Sequence, residues 1–192
     1  MTSCNFCNLF DFDGTLFNTT DALFLAYKQA MFEIVKKNLT KEAWSDNFGN
    51  HISCICKELE IDEDDTIKIR KLKYKNYPDN FLNSITKIDK MIRVASICKH
   101  NYIVSSTEKP VIIKILQYNS LDNLFEGIFD YSCSTKQKPH PEPYLNAINT
   151  LNFDRYNIFE DSTAGIQSAI ETKQLLTGKQ IKLFNQKGMM IA

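Results

Sequence analysis

From Asn101 onward, short apolar runs alternate with amphipathic ones, and that alternation fixes the fold class. Asn101–Ser105, Gly127–Ser132, Asn157–Phe159 and Ile181–Phe184 read as strands, with Leu175–Thr177 as a further candidate. Pro110–Tyr118, Glu142–Leu151 and a segment opening at Gly165–Glu171 carry apolar residues at helical spacing. Strands joined through helices need crossover connections, hence a parallel sheet covered on both faces. Asn8–Asp13 supplies an earlier strand, and Ile85–His100 is predicted as the helix leading into Asn101. Between them the pattern is helical throughout. Thr19 or Thr20 can cap a helix from Asp21 to Lys37, with Leu23, Phe24, Tyr27, Met31, Ile34 and Val35 on its apolar stripe. Further helices are expected at Thr40–Phe48, Ile52–Glu60 and Asp64–Tyr77, the last ended by Pro78. The expectation is an α/β protein. Residues 1–16 and 84–192 form a Rossmann-like parallel-sheet core, and residues 17–83 a helical insertion.

Composition narrows the partners. The 192 residues hold 23 Lys plus Arg against 23 Asp plus Glu, so no basic field favours nucleic acid or an anionic membrane. No stretch approaches the roughly 18 apolar residues of a membrane span. Met1–Asn5 has neither the basic nor the apolar region of a signal peptide, so a cytoplasmic location is expected. Nothing sets an oligomeric state, and a monomer is the default. Of the six cysteines, Cys4 and Cys7 form a C-x-x-C, Cys54 and Cys56 a C-x-C, and Cys98 and Cys133 stand alone. Neither pair has the context of a zinc or redox site, so they are expected to be free thiols in the core.

Ligands of open parallel sheets bind beyond the carboxyl ends of the strands. The first strand ends in Asp11-Phe12-Asp13-Gly14-Thr15, with two acids on one face of the chain. Two such carboxylates repel each other and resist desolvation unless a cation or substrate lies between them. Gly14 permits the sharp turn that follows. Ser105-Ser106-Thr107 follows the second strand and offers hydroxyl and backbone N–H groups to phosphate oxygens. After the third comes Lys138 in a proline-rich loop, and after the fourth Glu160-Asp161-Ser162, where Asp161 or Ser162 can cap a helix. Acids, one cation and hydroxyls at a single sheet edge describe a site for a divalent cation and a phosphoryl group.

These runs resemble the haloacid dehalogenase-like (HAD) superfamily across nearly the whole chain. The opening motif is Asp11-Phe12-Asp13-Gly14-Thr15-Leu16, the second Ser105, the third Lys138-Pro139-His140-Pro141-Glu142-Pro143-Tyr144, and the fourth Glu160-Asp161-Ser162-Thr163-Ala164-Gly165-Ile166. The last two resemble the beta-phosphoglucomutase-like and phosphoglycolate-phosphatase-like branch. The resemblance implies a HAD-type core with residues 17–83 as a small helical cap of the C1 type. It implies Asp11 as the nucleophile, forming an aspartyl phosphate, and Asp13 as acid toward the leaving alcohol and base toward water. It implies Mg²⁺ held by the Asp11 carboxylate, the Asp13 carbonyl and Asp161, with Glu160 ligating directly or through water. Gly14, Thr15, Ser105, Ser106 and Lys138 would bind the phosphoryl group. Asn18, Thr19, Asn50 and His51 are cap-side candidates.

Dehalogenases of the superfamily generally lack an acid at the position of Asp13, so phosphoryl transfer is expected. Beta-phosphoglucomutases carry a cap histidine ten residues after the second acid, and Leu23 occupies that position. Hydrolysis of a small phosphorylated metabolite, such as a sugar phosphate or phosphoglycolate, is therefore expected over mutase chemistry. A catalytically weak regulatory member of the fold is the other alternative. Glu171-Thr172-Lys173 stands where the superfamily places a small-residue turn, which leaves the last strands open.

Overall fold

The computed structural model describes residues 6–47, 52–77 and 79–192, and the chain divides into two compact units. One comprises Met1–Asn18 and Lys87–Ala192, the other Thr19–Thr86. In chain order, strand β1 (Phe6–Phe10) and the two-residue strand β2 (Phe17–Asn18) precede four helices. These are α1 (Thr20–Val35), α2 (Lys41–Asp46), α3 (Ile52–Glu58) and α4 (Glu63–Asn76). Strand β3 (Thr86–Lys87), α5 (Asp89–Ile97), β4 (Asn101–Val104), α6 (Lys109–Tyr118) and β5 (Gly127–Phe129) follow. The chain ends with α7 (Glu142–Leu151), β6 (Arg155–Phe159), α8 (Thr163–Leu175) and β7 (Gln180–Phe184).

The first unit is a five-stranded parallel sheet in the order β5-β4-β1-β6-β7. From β1 the chain builds outward through β4 and β5, then returns to the other side of β1 for β6 and β7. The order therefore reverses beside β1, and the crevice that this opens lies at the carboxyl ends of β1 and β6.

Two side-chain ladders pin the register. Asn8 pairs in register with Asn101 on one side and Asn157 on the other. The Asn8 Nδ2 donates to Asn101 Oδ1 at 3.1 Å, and Asn157 Nδ2 donates to Asn8 Oδ1 at 3.0 Å. Asn8 and Asn101 are buried, so a slip of one residue would strand these amides without partners. Two residues on, Phe10 stacks on Phe159 at 4.6 Å and Phe159 on Phe184 at 5.2 Å. Cys7 and Leu9 alternate to the opposite face, where they join Val104, Tyr144, Ile148, Tyr156, Ile158 and Leu183 in the core under α7 and α8.

The helical unit has its own core of Phe24, Tyr27, Met31, Leu39, Ile52, Ile55 and Ile69. Thr40 caps α2, accepting from Ala43 N at 3.2 Å, and Asp62 caps α4, accepting from Asp65 N at 2.8 Å. Among the described residues no helix is long and apolar enough to cross a membrane.

Several boundaries differ from expectation. Phe17 and Asn18 belong with the sheet unit, and residues 84–86 with the helical one. The predicted helix Ile85–His100 starts later: Thr86–Lys87 is extended, and Met91 N closes the first turn on Ile88 O at 2.9 Å. β5 stops at Phe129, because Asp130 turns the chain by accepting from the Ser132 N–H and hydroxyl, at 3.2 and 2.7 Å. Leu175–Thr177 is not a strand. Helix α8 runs through Leu175, since Thr172 is fully buried and donates its hydroxyl to Ser168 O at 2.8 Å. Cys7 and Cys56 are buried as expected of core thiols, whereas Cys54 and Cys133 are exposed. Cys4, Phe48 and the predicted helix stop Pro78 lie outside the described residues.

Candidate active site

Four chain segments converge where β1, β4 and β6 end. Asp11 continues β1, its N–H donating to Phe159 O at 2.9 Å. The chain then winds tightly: Leu16 N donates to Phe12 O at 3.0 Å and Gly14 N to Phe17 O at 2.7 Å. Gly14 sits at φ +85°, and a Cβ there would lie 2.1 Å from Asp161 Oδ2. Both the turn and the close approach of the Asp161 carboxylate thus require glycine.

Lys138 reaches the site from the loop after β5. Gln137 Nε2 braces that loop by donating to Tyr131 O at 2.9 Å and Ser134 O at 3.1 Å. Glu142 holds its far side, accepting from Thr135 N at 2.7 Å. The Lys138–Pro139 peptide bond is cis. The Lys138 ammonium donates to Asp11 Oδ1 at 2.8 Å, Glu160 Oε1 at 2.5 Å and Val104 O at 2.9 Å. All three of its protons are used, so its position is fully determined.

Glu160 is wholly buried. Its Oε1 accepts from Lys138 and from the Tyr144 hydroxyl at 2.8 Å. Its Oε2 accepts from Asp161 N at 3.2 Å and from the Ser162 hydroxyl at 3.2 Å. Gly165 leaves room for this carboxylate, since a Cβ would lie 1.9 Å from Oε1. With its lone pairs so engaged, Glu160 is a support that aims Lys138 at Asp11. Asp161 presents its carboxylate beside the turn, with Oδ1 accepting from the Thr15 hydroxyl at 2.9 Å. Ser162 caps α8, accepting from Gly165 N at 3.0 Å.

Asp11, Glu160 and Asp161 each offer an oxygen within 4.8 Å of the others. Burial, together with the Glu160 carboxylate, raises Asp11 well above the ordinary carboxylate range, while Lys138 opposes the shift. Burial and Glu160 also push Asp161 up to about 6, against the Thr15 hydrogen bond and Lys138. For Lys138, burial opposes the charge, but Asp11 and Glu160 more than offset it and hold the ammonium protonated. Acidic charge therefore exceeds cationic charge here. A buried, oxygen-only donor set with surplus negative charge suits a hard divalent cation such as Mg²⁺.

Most expected residues come together. Ser105 is buried after β4, with its N–H donating to Phe129 O at 2.9 Å and its Oγ accepting from Thr107 N at 3.0 Å. Ser106 is half-buried beside it. Asp13, half-buried, accepts at Oδ2 from the Thr107 hydroxyl at 2.5 Å. Thr15 is fully buried, and its hydroxyl donates to Asp161 Oδ1. Asn50 and His51 lie outside the described residues, and Asn18 and Thr19 bracket the junction between the units. Sequence reasoning assigned no role to Tyr144, although it lies in the Lys138–Tyr144 run. A fully buried tyrosine needs a partner for its hydroxyl, and that need was the available signal.

Residues 8–174 match the haloacid dehalogenase-like hydrolase family. A protein assigned as the pyrophosphatase PpaX of Caldanaerobacter subterraneus subsp. tengcongensis is 22% identical over 175 residues, covering 83% of this chain and 78% of the relative. A solved haloacid dehalogenase-like hydrolase from Bacteroides fragilis superposes with a TM-score of 0.79 at 19% identity, covering 97% of this chain and 90% of that one. A beta-phosphoglucomutase from Clostridium difficile superposes at 0.67 with 18% identity, covering 91% and 89%. These structural likenesses carry the fold. With 8–174 matched and the motif side chains converging at one sheet edge, the chain belongs to the haloacid dehalogenase-like hydrolase family.

Proposed function

We propose that this chain is a Mg²⁺-dependent phosphatase that hydrolyses a small phosphomonoester through an aspartyl phosphate on Asp11. The observation that carries the reading is the Asp11 carboxylate held by Lys138 at 2.8 Å, with a second acid, Asp13, two residues on. A carboxylate nucleophile needs alignment and charge neutralisation more than deprotonation. Asp11 attacks phosphorus, the bond from phosphorus to the ester oxygen breaks, and Asp13 gives its proton to the departing alkoxide. Asp13 then takes a proton from water, which attacks the phosphoryl group, releasing inorganic phosphate and restoring the Asp11 carboxylate. The Ser105 hydroxyl and the Ser106 N–H hold the phosphoryl oxygens, while the Lys138 ammonium neutralises charge on Asp11 beside them. Asp11, Asp161 and the Asp13 carbonyl would hold Mg²⁺, with the buried Glu160 carboxylate adding negative charge beside them. The bound ion supplies positive charge that draws the phosphoryl oxygens toward the carboxylates.

Hydrolysis is favoured over mutase chemistry because Leu23, an apolar residue of α1, stands at the position of the mutase histidine. Purified protein with Mg²⁺ is expected to release phosphate from p-nitrophenyl phosphate and to stop when the metal is chelated. A panel of sugar phosphates, phosphoglycolate, nucleoside monophosphates and inorganic pyrophosphate would then define the substrate; pyrophosphate enters because of the name of the PpaX relative. Conversion of beta-glucose 1-phosphate to glucose 6-phosphate without phosphate release would overturn the phosphatase reading in favour of the mutase.

The raised acids also predict how the metal responds to pH. Asp161, at about 6, binds its proton more tightly folded than unfolded, and so does Asp11. Their contribution to stability is present below the ordinary carboxylate range and is lost as pH rises through these folded values. Metal-free protein therefore loses stability over that interval. Mg²⁺ competes with the same protons, so its stabilisation runs the other way. The rise in melting temperature on adding Mg²⁺ is expected to be larger at about pH 7.5 than at about pH 5. An equal rise at both would remove Asp11 and Asp161 as the ligands.

A further inference from the structure

The reaction just described gives Thr107 no part, yet its side chain is in contact with the acid that moves the protons. Thr107 is 6% exposed and sits two residues beyond Ser105. Its N–H donates to Ser105 Oγ at 3.0 Å, which closes a turn, and its hydroxyl donates to Asp13 Oδ2 at 2.5 Å. That oxygen–oxygen separation is the short one expected when a hydroxyl donates to a carboxylate.

We infer that Thr107 is the positioning residue for Asp13, fixing which carboxyl oxygen delivers and collects the proton. This assignment rests on the phosphatase reading. A carboxyl group rotates broadly about its last torsion, so an acid on a turn has no intrinsic aim. The Thr107 bond fixes the plane of the Asp13 carboxyl. With Oδ2 held by that hydroxyl, the proton is delivered and collected at Oδ1. A β-branched side chain is stiff about its first torsion, so the hydroxyl holds that bond at little further entropic cost. The same turn sets Ser105 Oγ, so one short segment places both a phosphoryl-binding hydroxyl and the proton donor.

The consequence falls on the first half-reaction. As Asp11 Oδ forms its bond to phosphorus, the ester oxygen leaves with the bonding pair and takes the Asp13 proton. Nitrophenolate leaves readily without that proton, whereas phenolate gains much more from it. The test is kcat/KM for p-nitrophenyl phosphate and for phenyl phosphate, each with Mg²⁺, because this ratio covers steps up to aspartyl phosphate formation. Thr107→Val is expected to lower the phenyl phosphate value by about 10- to 100-fold and the p-nitrophenyl value by less than about threefold. Thr107→Ser, which restores the hydroxyl, is expected to bring phenyl phosphate back to within about threefold of wild type. Thr107→Ala provides the same comparison if the valine variant does not fold, as read from its melting curve.

Equal losses on both esters would mean a purely structural role and overturn the assignment, as would full phenyl phosphate activity in Thr107→Val. Absence of phosphate release by the wild-type protein from either ester would instead overturn the phosphatase reading, and this assignment with it.

Discussion

Replacing Asp11 by Asn is expected to abolish turnover while making the metal-free protein more stable near neutral pH. The loss of activity follows from chemistry: the amide is a poor nucleophile toward phosphorus, and losing a covalent nucleophile costs about 10⁴-fold or more. The gain in stability follows from the site's charge. Asp11 is buried against Glu160, Asp161 and Asp13, and its carboxyl is held well above the ordinary range despite Lys138. The folded state therefore carries its ionised form at a cost once pH exceeds the ordinary carboxylate range. Asparagine keeps the shape and an oxygen for the Lys138 ammonium, but removes one negative charge. Each kcal/mol relieved raises the melting temperature by about 2–4 °C in a chain of this size. The difference between variant and wild type is expected to narrow as pH falls, because protonation removes the same charge from the wild type. Thermal melts of both proteins without metal, near neutral and near pH 5, check this. Retained phosphate release would remove Asp11 as nucleophile, and a variant less stable near neutral pH would contradict the charge argument.

What could be read from the sequence was what stands out locally. Asp11 and Asp13 end an apolar strand, and carboxylates there are costly enough to demand a partner. The helix–strand alternation gave the parallel sheet, and the sheet then placed Asp11, Ser105, Lys138 and Asp161 at one edge. Roles that depend on contacts between distant segments were not legible. Thr107 reaches Asp13 across 94 residues of chain, and Tyr144 reaches Glu160 across 16. Either hydroxyl could have served any neighbour. The Thr15 hydroxyl reaches Asp161 across 146 residues and was hidden in the same way. The ladder of Asn8, Asn101 and Asn157 was also hidden, because a lone asparagine in an apolar strand reads as a misfit until its register partners are known. The misplaced start of α5 and the strand expected at Leu175 have a common cause. Short apolar runs fit either element, and only the backbone hydrogen bonds at Ile88 and the burial of Thr172 decide them.

Replacing Lys138 by Met is expected to lower activity strongly as well, but to move stability the other way. The methionine fills a similar volume without the ammonium that bonds Asp11 at 2.8 Å and Glu160 at 2.5 Å. Glu160 is fully buried and cannot turn to solvent, so the variant keeps uncompensated carboxylates in the interior. Breaking a buried ion pair by removing one partner typically costs about 3–5 kcal/mol, which is a large share of a domain's stability. The Coulombic attraction of Lys138 also lowers Asp11 and Asp161, so without it both acids bind protons more tightly. The penalty should consequently shrink as pH falls and those acids protonate, and urea titrations near pH 7.5 and near pH 5 measure it. Losing the cation that neutralises the proposed nucleophile is expected to lower kcat by about 10²–10³-fold. A structural ion pair alone predicts that both single variants destabilise the fold, since each removes one partner. A phosphoryl-transfer site overloaded with negative charge predicts that Asp11→Asn stabilises, Lys138→Met destabilises, and both lose activity. Equal destabilisation by the two changes would favour the structural reading, and opposite signs the catalytic one.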